Sequence, residues 1–178
     1  LESDPFTKVI VHGTYTTSTA NTWFEVQSST GQICYYGNTT GARQSYTAGN
    51  FPRIYAWYLD YVEDPLGNYM NYTYNKWSYC MYPNTIMYGN NKNGSTGLQN
   101  TVTFSYETRS NDPQLFVIEG VKGTMDRRLK TITSKTGNSV YRVYDLQYNT
   151  TGDASGTKYS RLTSVTERNG AGDVMQPV

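Results

Sequence analysis

Charge is scarce in this chain: Lys, Arg, Asp and Glu make up 16% of its 178 residues, against ~25% in ordinary soluble globular proteins. The formal net charge is +1, and Lys8, Lys92, Lys122, Arg127, Arg128, Lys130 and Lys135 are interspersed with Asp and Glu without forming a basic stripe. That distribution argues against nucleic acid and anionic membrane as partners. Long apolar runs are missing too. The longest, near Ile54 to Leu59, is short and rich in Tyr, well under the ~20 residues of a bilayer-spanning helix, so no membrane insertion is expected. The chain has one histidine, His12, and two cysteines, Cys34 and Cys80. A zinc site would need these three and a carboxylate, and none stands at ligand spacing; His12 reads as an ordinary strand residue. The cysteines permit one disulfide or, equally, two buried thiols.

Catalytic signatures are absent as well. No Gly-x-Ser-x-Gly elbow, P-loop or dinucleotide fingerprint occurs, and no cofactor is implied. Asp60, Glu63 and Asp64 form the one dense carboxylate cluster. On a strand, Asp60 and Asp64 share a face but lie about 13 Å apart, too far for an acid/base pair without a bulge. Asp60, Glu63, Asp64 and Asn68 offer hard oxygens for Ca²⁺, yet their spacing matches no loop motif, and turn formation explains them. Asn38, Asn71, Asn93 and Asn149 fit the N-glycosylation pattern, which arises by chance in chains rich in Asn and Thr.

What is abundant is Tyr, at 18 positions, and Gly, at 16. No segment longer than a turn has apolar residues at helical spacing, so the fold expected is all-β, an antiparallel sheet of successive hairpins with little or no helix. Trp23 to Ser28 and Gln32 to Tyr36 form a first hairpin, with Gly31 taking positive φ in its turn. Ile54 to Asp64 reads as one central strand buried on both faces. It leads through Asp64-Pro65-Leu66-Gly67-Asn68, a turn pre-set by Pro65, into a return strand bearing Tyr69, Tyr72 and Tyr74. Residues 89–97 are too polar and Gly-rich to pack and read as a surface loop. Further strands are expected over Val102 to Tyr106, Leu115 to Val121, Arg128 to Lys135 and Val140 to Tyr148. Arg128-Leu129-Lys130-Thr131-Ile132-Thr133 recurs as Arg161-Leu162-Thr163-Ser164-Val165-Thr166, a weak repeat that favours extended β arrays. Residues 1–178 thus read as a single all-β region: hairpins around Trp23 and Trp57 over 1–88, the loop, then repeat hairpins over 98–178. The chain is expected to be a fragment of a larger protein.

Trp57-Tyr58-Leu59-Asp60 leading into Asp64, Gly67 and Asn68, with Tyr72 and Tyr74 beyond, resembles a hairpin motif of the Rhs/YD-repeat family, and within it of the Salmonella virulence-plasmid B protein and insecticidal toxin-complex B components. Val102 to Tyr106 with Arg109 and Asp112, then Arg128-Leu129, Tyr144 to Tyr148 and Ser160-Arg161-Leu162, follow in the order of that family. Residues 89–97 and Thr150 to Thr157 depart from the pattern. The resemblance implies a non-catalytic segment of a β-shell that encloses or presents a C-terminal effector, an open sandwich being the other arrangement such hairpins could take. It further implies a secreted or cell-surface bacterial protein whose partners are flanking YD-repeat segments and toxin-complex subunits. The alternative is a carbohydrate-binding β-module, since aromatic side chains crowd Tyr55 to Tyr82 and exposed rings stack on sugars; Trp77 and Tyr79 are its first candidates for a glycan platform.

Overall fold

In the computed structural model, residues 6–16, 20–49, 51–94, 97, 99–118, 120–149 and 159–175 are described. They are almost entirely strand, and all strand pairs described below are antiparallel, as the period-2 patterning predicts. The chain divides into two compact units, Leu1–Asn75 with Ile86–Gln99 and Lys76–Thr85 with Asn100–Val178. The divisions at 75/76 and 85/86 fall inside strands, and the one at 99/100 falls at the start of a strand.

In the first unit, β1 (Lys8–His12) pairs with β2 (Trp23–Gln27), which pairs with β3 (Ile33–Tyr36). The β2/β3 turn is the expected one, with Gly31 at φ +83° and its N–H donating to Ser28 O at 3.0 Å. After β3 the chain leaves the ladder at Gly37, makes a 3-10 turn at Thr40–Ala42, and forms a separate hairpin from β4 (Arg43–Ala48) and β5 (Phe51–Trp57). It returns as β6 (Leu59–Glu63), which pairs with β3 on one side and with β7 (Asn68–Trp77) on the other.

The continuous strand expected over Ile54 to Asp64 is therefore broken at Tyr58. Tyr58 N–H donates to Ala42 O and its carbonyl accepts from Gly37 N–H, each at 2.8 Å, so its backbone groups are satisfied by the connecting loop and not by a ladder. Nor is the segment buried on both faces: of the residues 54–63 only Ile54, Asp60 and Glu63 are buried. Alternation looks the same in one long strand and in two strands of different sheets joined by a corner.

The β6/β7 turn forms as expected. Asp64 Oδ1 accepts from Leu66 N–H and Asn68 N–H at 2.9 Å each, and Gly67 sits at φ +83°. Of the segment 89–97, residues 89–91 extend a strand, whereas Lys92, Asn93, Gly94 and Gly97 are exposed. β8 (Cys80–Asn91) runs on to Asn91, Lys92 N–H donates to Gly67 O at 2.8 Å, and Asn91 Nδ2 donates to Leu66 O at 2.7 Å. The Asn91 amide and the Lys92 main-chain N–H thus satisfy the carbonyls of a turn that needs donors. A Cβ on Gly67 would lie 3.1 Å from Lys92 Cγ and 3.3 Å from Asn91 Oδ1. Gly67→Ala is expected to cost about 1–2 kcal/mol, from the positive φ and this crowding together, measurable as a lower urea midpoint with unchanged slope.

The second unit repeats the plan. β9 (Asn100–Thr108) pairs with β12 (Arg127–Thr136), β12 with β13 (Ser139–Asn149), and β13 with β14 (Arg161–Asn169). Between β9 and β12 the chain makes a side hairpin, β10 (Gln114–Ile118) with β11 (Val121–Met125). The single strand expected over Leu115 to Val121 is thus two, folded back at Gly120, whose φ is +80°. Both copies of the weak repeat are strands, Arg128 to Thr133 in β12 and Arg161 to Thr166 in β14, flanking β13. Thr150 to Thr157 lies outside the described residues.

Buried apolar residues are few: Ala42, Ile54, Cys80, Tyr82 and Leu146, with no large side chain less than 2% exposed among those described. Stability must come mainly from half-buried cross-strand pairs, each contributing roughly 0.2–1 kcal/mol.

Candidate functional site

Each unit organises its side chains as files that cross the strands. In the first, one ring per strand lines up: His12 on β1 stacks on Trp23 of β2 at 4.0 Å, and Trp23 meets Tyr35 of β3 at 5.1 Å. Tyr35 then stacks on Tyr61 of β6 at 5.0 Å, and Tyr61 on Tyr69 of β7 at 5.6 Å. Polar groups tether this file. His12 Nε2 lies 2.9 Å from Glu25 Oε2, and Tyr61 Oη donates to Glu63 Oε2 at 2.7 Å. Lys92 pairs with the other Glu63 oxygen. The Lys92 ammonium and the Tyr61 hydroxyl hold Glu63 below the usual carboxylate range, while burial and the bond to Glu63 push the Tyr61 phenol up.

Asp60, Glu63 and Asp64, dense in the sequence, serve separate partners. Asp60 accepts from Thr39 N–H at 2.5 Å, Glu63 serves Lys92 and Tyr61, and Asp64 serves its own turn. Among the described residues no group of three His, Cys, Asp or Glu side chains could hold a metal. Trp57, Tyr72 and Tyr74, the aromatic members of the hairpin motif, have packing partners: Trp57 meets Phe24 edge-on at 5.0 Å and donates from Nε1 to Thr22 O at 2.5 Å. Tyr72 Oη reaches Met70 Sδ at 3.7 Å, and Tyr74 Oη donates to Leu59 O at 2.6 Å. Burial, then the charge of Asp60, pushes the Tyr74 phenol up to about 12.

In the second unit Trp77, Tyr82 and Tyr106 form a triangle of rings 5.2 to 5.7 Å apart, and the Arg127 guanidinium lies 5.4 Å from the Trp77 ring centre. Trp77 is therefore half-buried, packed on one side by these rings and the guanidinium. Tyr79, at φ +63° in the β7/β8 turn, leaves half its surface exposed. Arg128 sits over Tyr148 at 4.7 Å and donates from Nε to Glu107 at 2.6 Å. Leu129 is half-buried opposite Tyr106, whereas Arg161 and Leu162, their repeat counterparts, are exposed at the start of β14.

A clamp that sequence reasoning missed closes this unit. Asp112, 7% exposed, accepts from Arg109 Nη2 at 2.8 Å, from Ser160 N–H at 2.6 Å and from Ser160 Oγ at 2.7 Å. Arg128 Nη1 adds a bond to Ser160 Oγ at 2.7 Å. The Arg109 guanidinium, with the Ser160 donors behind it, holds the Asp112 carboxyl far below its ordinary range. Arg109, Asp112 and Ser160 all stood in the family pattern, but no spacing signal ties the first two to the third, 48 positions beyond Asp112.

Cys34 and Cys80 are both free, and burial pushes both thiols up. Because the thiolate is the reactive form, both should react slowly with a thiol reagent in native protein at neutral pH, and two thiols per chain should appear promptly in denaturant.

These arrangements hold strands to strands. A family model for the Salmonella virulence plasmid 65kDa B protein matches residues 5–79. No curated protein matches the chain. Among solved structures it is similar to the N-terminal domain of the effector protein SpvB from Salmonella typhimurium strain LT2, at 14% identity and TM-score 0.69 over 92% of this chain and 65% of that one. It is similar also to TcdB2-TccC3, at 15% identity and TM-score 0.70 over 97% of this chain and 11% of that one. For the Photorhabdus luminescens Tc holotoxin pore, identity is 16% and TM-score 0.73 over 97% of this chain and 10% of that one. The chain thus spans just under two thirds of the first and about a tenth of the others. It is a SpvB/toxin-complex-like all-β region, matched to the virulence plasmid B family over residues 5–79 and sharing its fold with both groups.

Proposed function

We propose that the chain is a non-catalytic structural β-scaffold segment of a secreted toxin-complex-related protein, enclosing or presenting a C-terminal effector and stacking on flanking segments and toxin-complex subunits. The observation that carries this reading is how the polar chemistry is used: Asp112, Glu63, Glu107, Arg128 and Lys92 all join one strand or loop to another. The likeness in fold to toxin-complex proteins supports it. So does the shape of the ladders, half-buried sheets with apolar side chains left outside; Val9 and Val11 on β1 are 51% and 62% exposed. Such surfaces gain by being covered.

Limited proteolysis of the full-length protein tests the proposal. The C-terminal effector region is expected to resist trypsin in the intact protein and to become cleavable when residues 1–178 are deleted or when Gly37→Val disrupts the first unit. An effector region equally protected, or equally exposed, in all three proteins overturns the enclosing role.

A further inference from the structure

Asp60 sits on β6 with 4% of its surface exposed. One carboxylate oxygen accepts from Thr39 N–H, but the other, Oδ1, is buried with no hydrogen-bond partner. Arg43 is within electrostatic reach of Asp60, but its guanidinium bonds elsewhere: Nε donates to Gly37 O and Nη2 to Asn38 O. A buried carboxylate left half-satisfied is costly and calls for a missing partner.

The surroundings indicate what partner. Asp60 lines a cavity of about 470 Å³ whose rim includes Thr39 and Gly41, both exposed, and whose walls include the half-buried Tyr72, Tyr74 and Met87. The hydroxyls of Tyr72 and Tyr74 are already donated, to Met70 and Leu59, so the two tyrosines offer this space ring surface rather than a cation for Asp60. A buried carboxylate in a pocket that Tyr72, Tyr74 and Met87 line together with the polar Asn71 and Thr73 is complementary to an alkyl stem ending in a cation. A single carboxylate is a poor substitute for the several oxygen ligands a divalent metal takes. The χ2 torsion of Asp is broad, so the carboxylate can turn toward the cavity without an off-rotamer cost.

We propose that this pocket binds an organic cation, an ammonium or guanidinium on an aliphatic stem, with Asp60 as its counter-ion. The cation comes either from a Lys or Arg side chain of another polypeptide segment or from a free amine; both present the same group.

The test is an amide NMR titration of the whole chain with n-butylammonium, spermidine, and the N-acetyl methylamides of lysine and arginine. Saturable shifts are expected at Thr39, Asp60 and residues 71–74. Asp60→Asn keeps an oxygen for Thr39 N–H but loses the charge, and affinity should fall about tenfold to a hundredfold, the worth of a charge-assisted hydrogen bond. A stronger response to the amino-acid amides than to butylammonium and spermidine assigns the pocket to a protein side chain, and the reverse order assigns it to a free amine. The proposal is overturned if no probe gives saturable shifts, if Asp60→Asn binds as well as the wild type, or if CaCl2 shifts the same amides at lower concentration. Should Asp60→Asn fail to fold, n-pentanol on the wild-type protein carries the same test: this neutral probe of similar shape must not reproduce the butylammonium shifts.

Discussion

Asp112→Ala is expected to cost the second unit about 3 kcal/mol at neutral pH, the usual penalty for removing one partner of a buried, hydrogen-bonded ion pair. Three bonds are lost at once, and the Arg109 guanidinium, whose Nε is already buried without a partner, also loses its carboxylate. The effect should be local. Trp77 belongs to the second unit, whereas Trp23 and Trp57 belong to the first, so in 5-fluorotryptophan-labelled protein the Trp77 resonance should report a lower urea midpoint first. The acid behaviour follows in sign. The folded carboxyl titrates well below the ordinary Asp value of about 3.9, so its contribution is complete above that pH and is lost as pH falls below it toward the folded value. Asp112→Asn should therefore be less stable than the wild type at pH 7 and close to it at the lowest pH. A wild-type stability flat down to pH 2, or an equal loss for the variant at every pH, contradicts the clamp.

Gly37→Val is expected to be the most damaging single change in the first unit, at about 3–5 kcal/mol. Gly37 has φ +71°, and a Cβ there would meet Trp57 Cδ1 at 2.5 Å, with Trp57 Cβ and Arg43 Cγ each at 3.2 Å. The Trp57 ring cannot withdraw cheaply, because its Nε1–H is bound to Thr22 O and its face abuts Phe24. Gly137→Ala is the control. Its φ is +56° with nothing within 4 Å of the new Cβ, so only the backbone term of about 1 kcal/mol remains. If circular dichroism melts show equal losses for the two variants, the packing of Trp57 on the corner contributes nothing.

Local signals were legible at several local pairings, though not at the β10/β11 hairpin, whose residues alternate like one strand. The turns at Gly31 and Gly67, the β12/β13 hairpin and the strand status of both Arg-Leu segments follow from alternation and turn chemistry alone. The corner at Tyr58 was not legible, because the partners that break the strand, Ala42 and Gly37, lie well over ten residues back along the chain. The packing of Asn91 and Lys92 was hidden for a related reason: polar side chains that satisfy a distant turn have the composition of a loop. The site residues divide in the same way. Asp64, Gly67 and Asn68 act within one turn, where spacing alone relates them, whereas Trp57 packs on Phe24 and bonds Thr22 O far back along the chain. Ser160, 48 positions from Asp112, and the cavity at Asp60 depend on contacts that no spacing rule encodes.

Both units interrupt a ladder with a self-paired hairpin, β4/β5 between β3 and β6, and β10/β11 between β9 and β12. The strands on either side still pair with each other across the excursion, each pair with one register shift. Length and sequence can therefore change in these side hairpins without re-pairing a single ladder strand. The ladders are the part of the molecule bound to a fixed geometry. The side hairpins are its free variables, where related chains can differ most in size and surface while remaining superimposable.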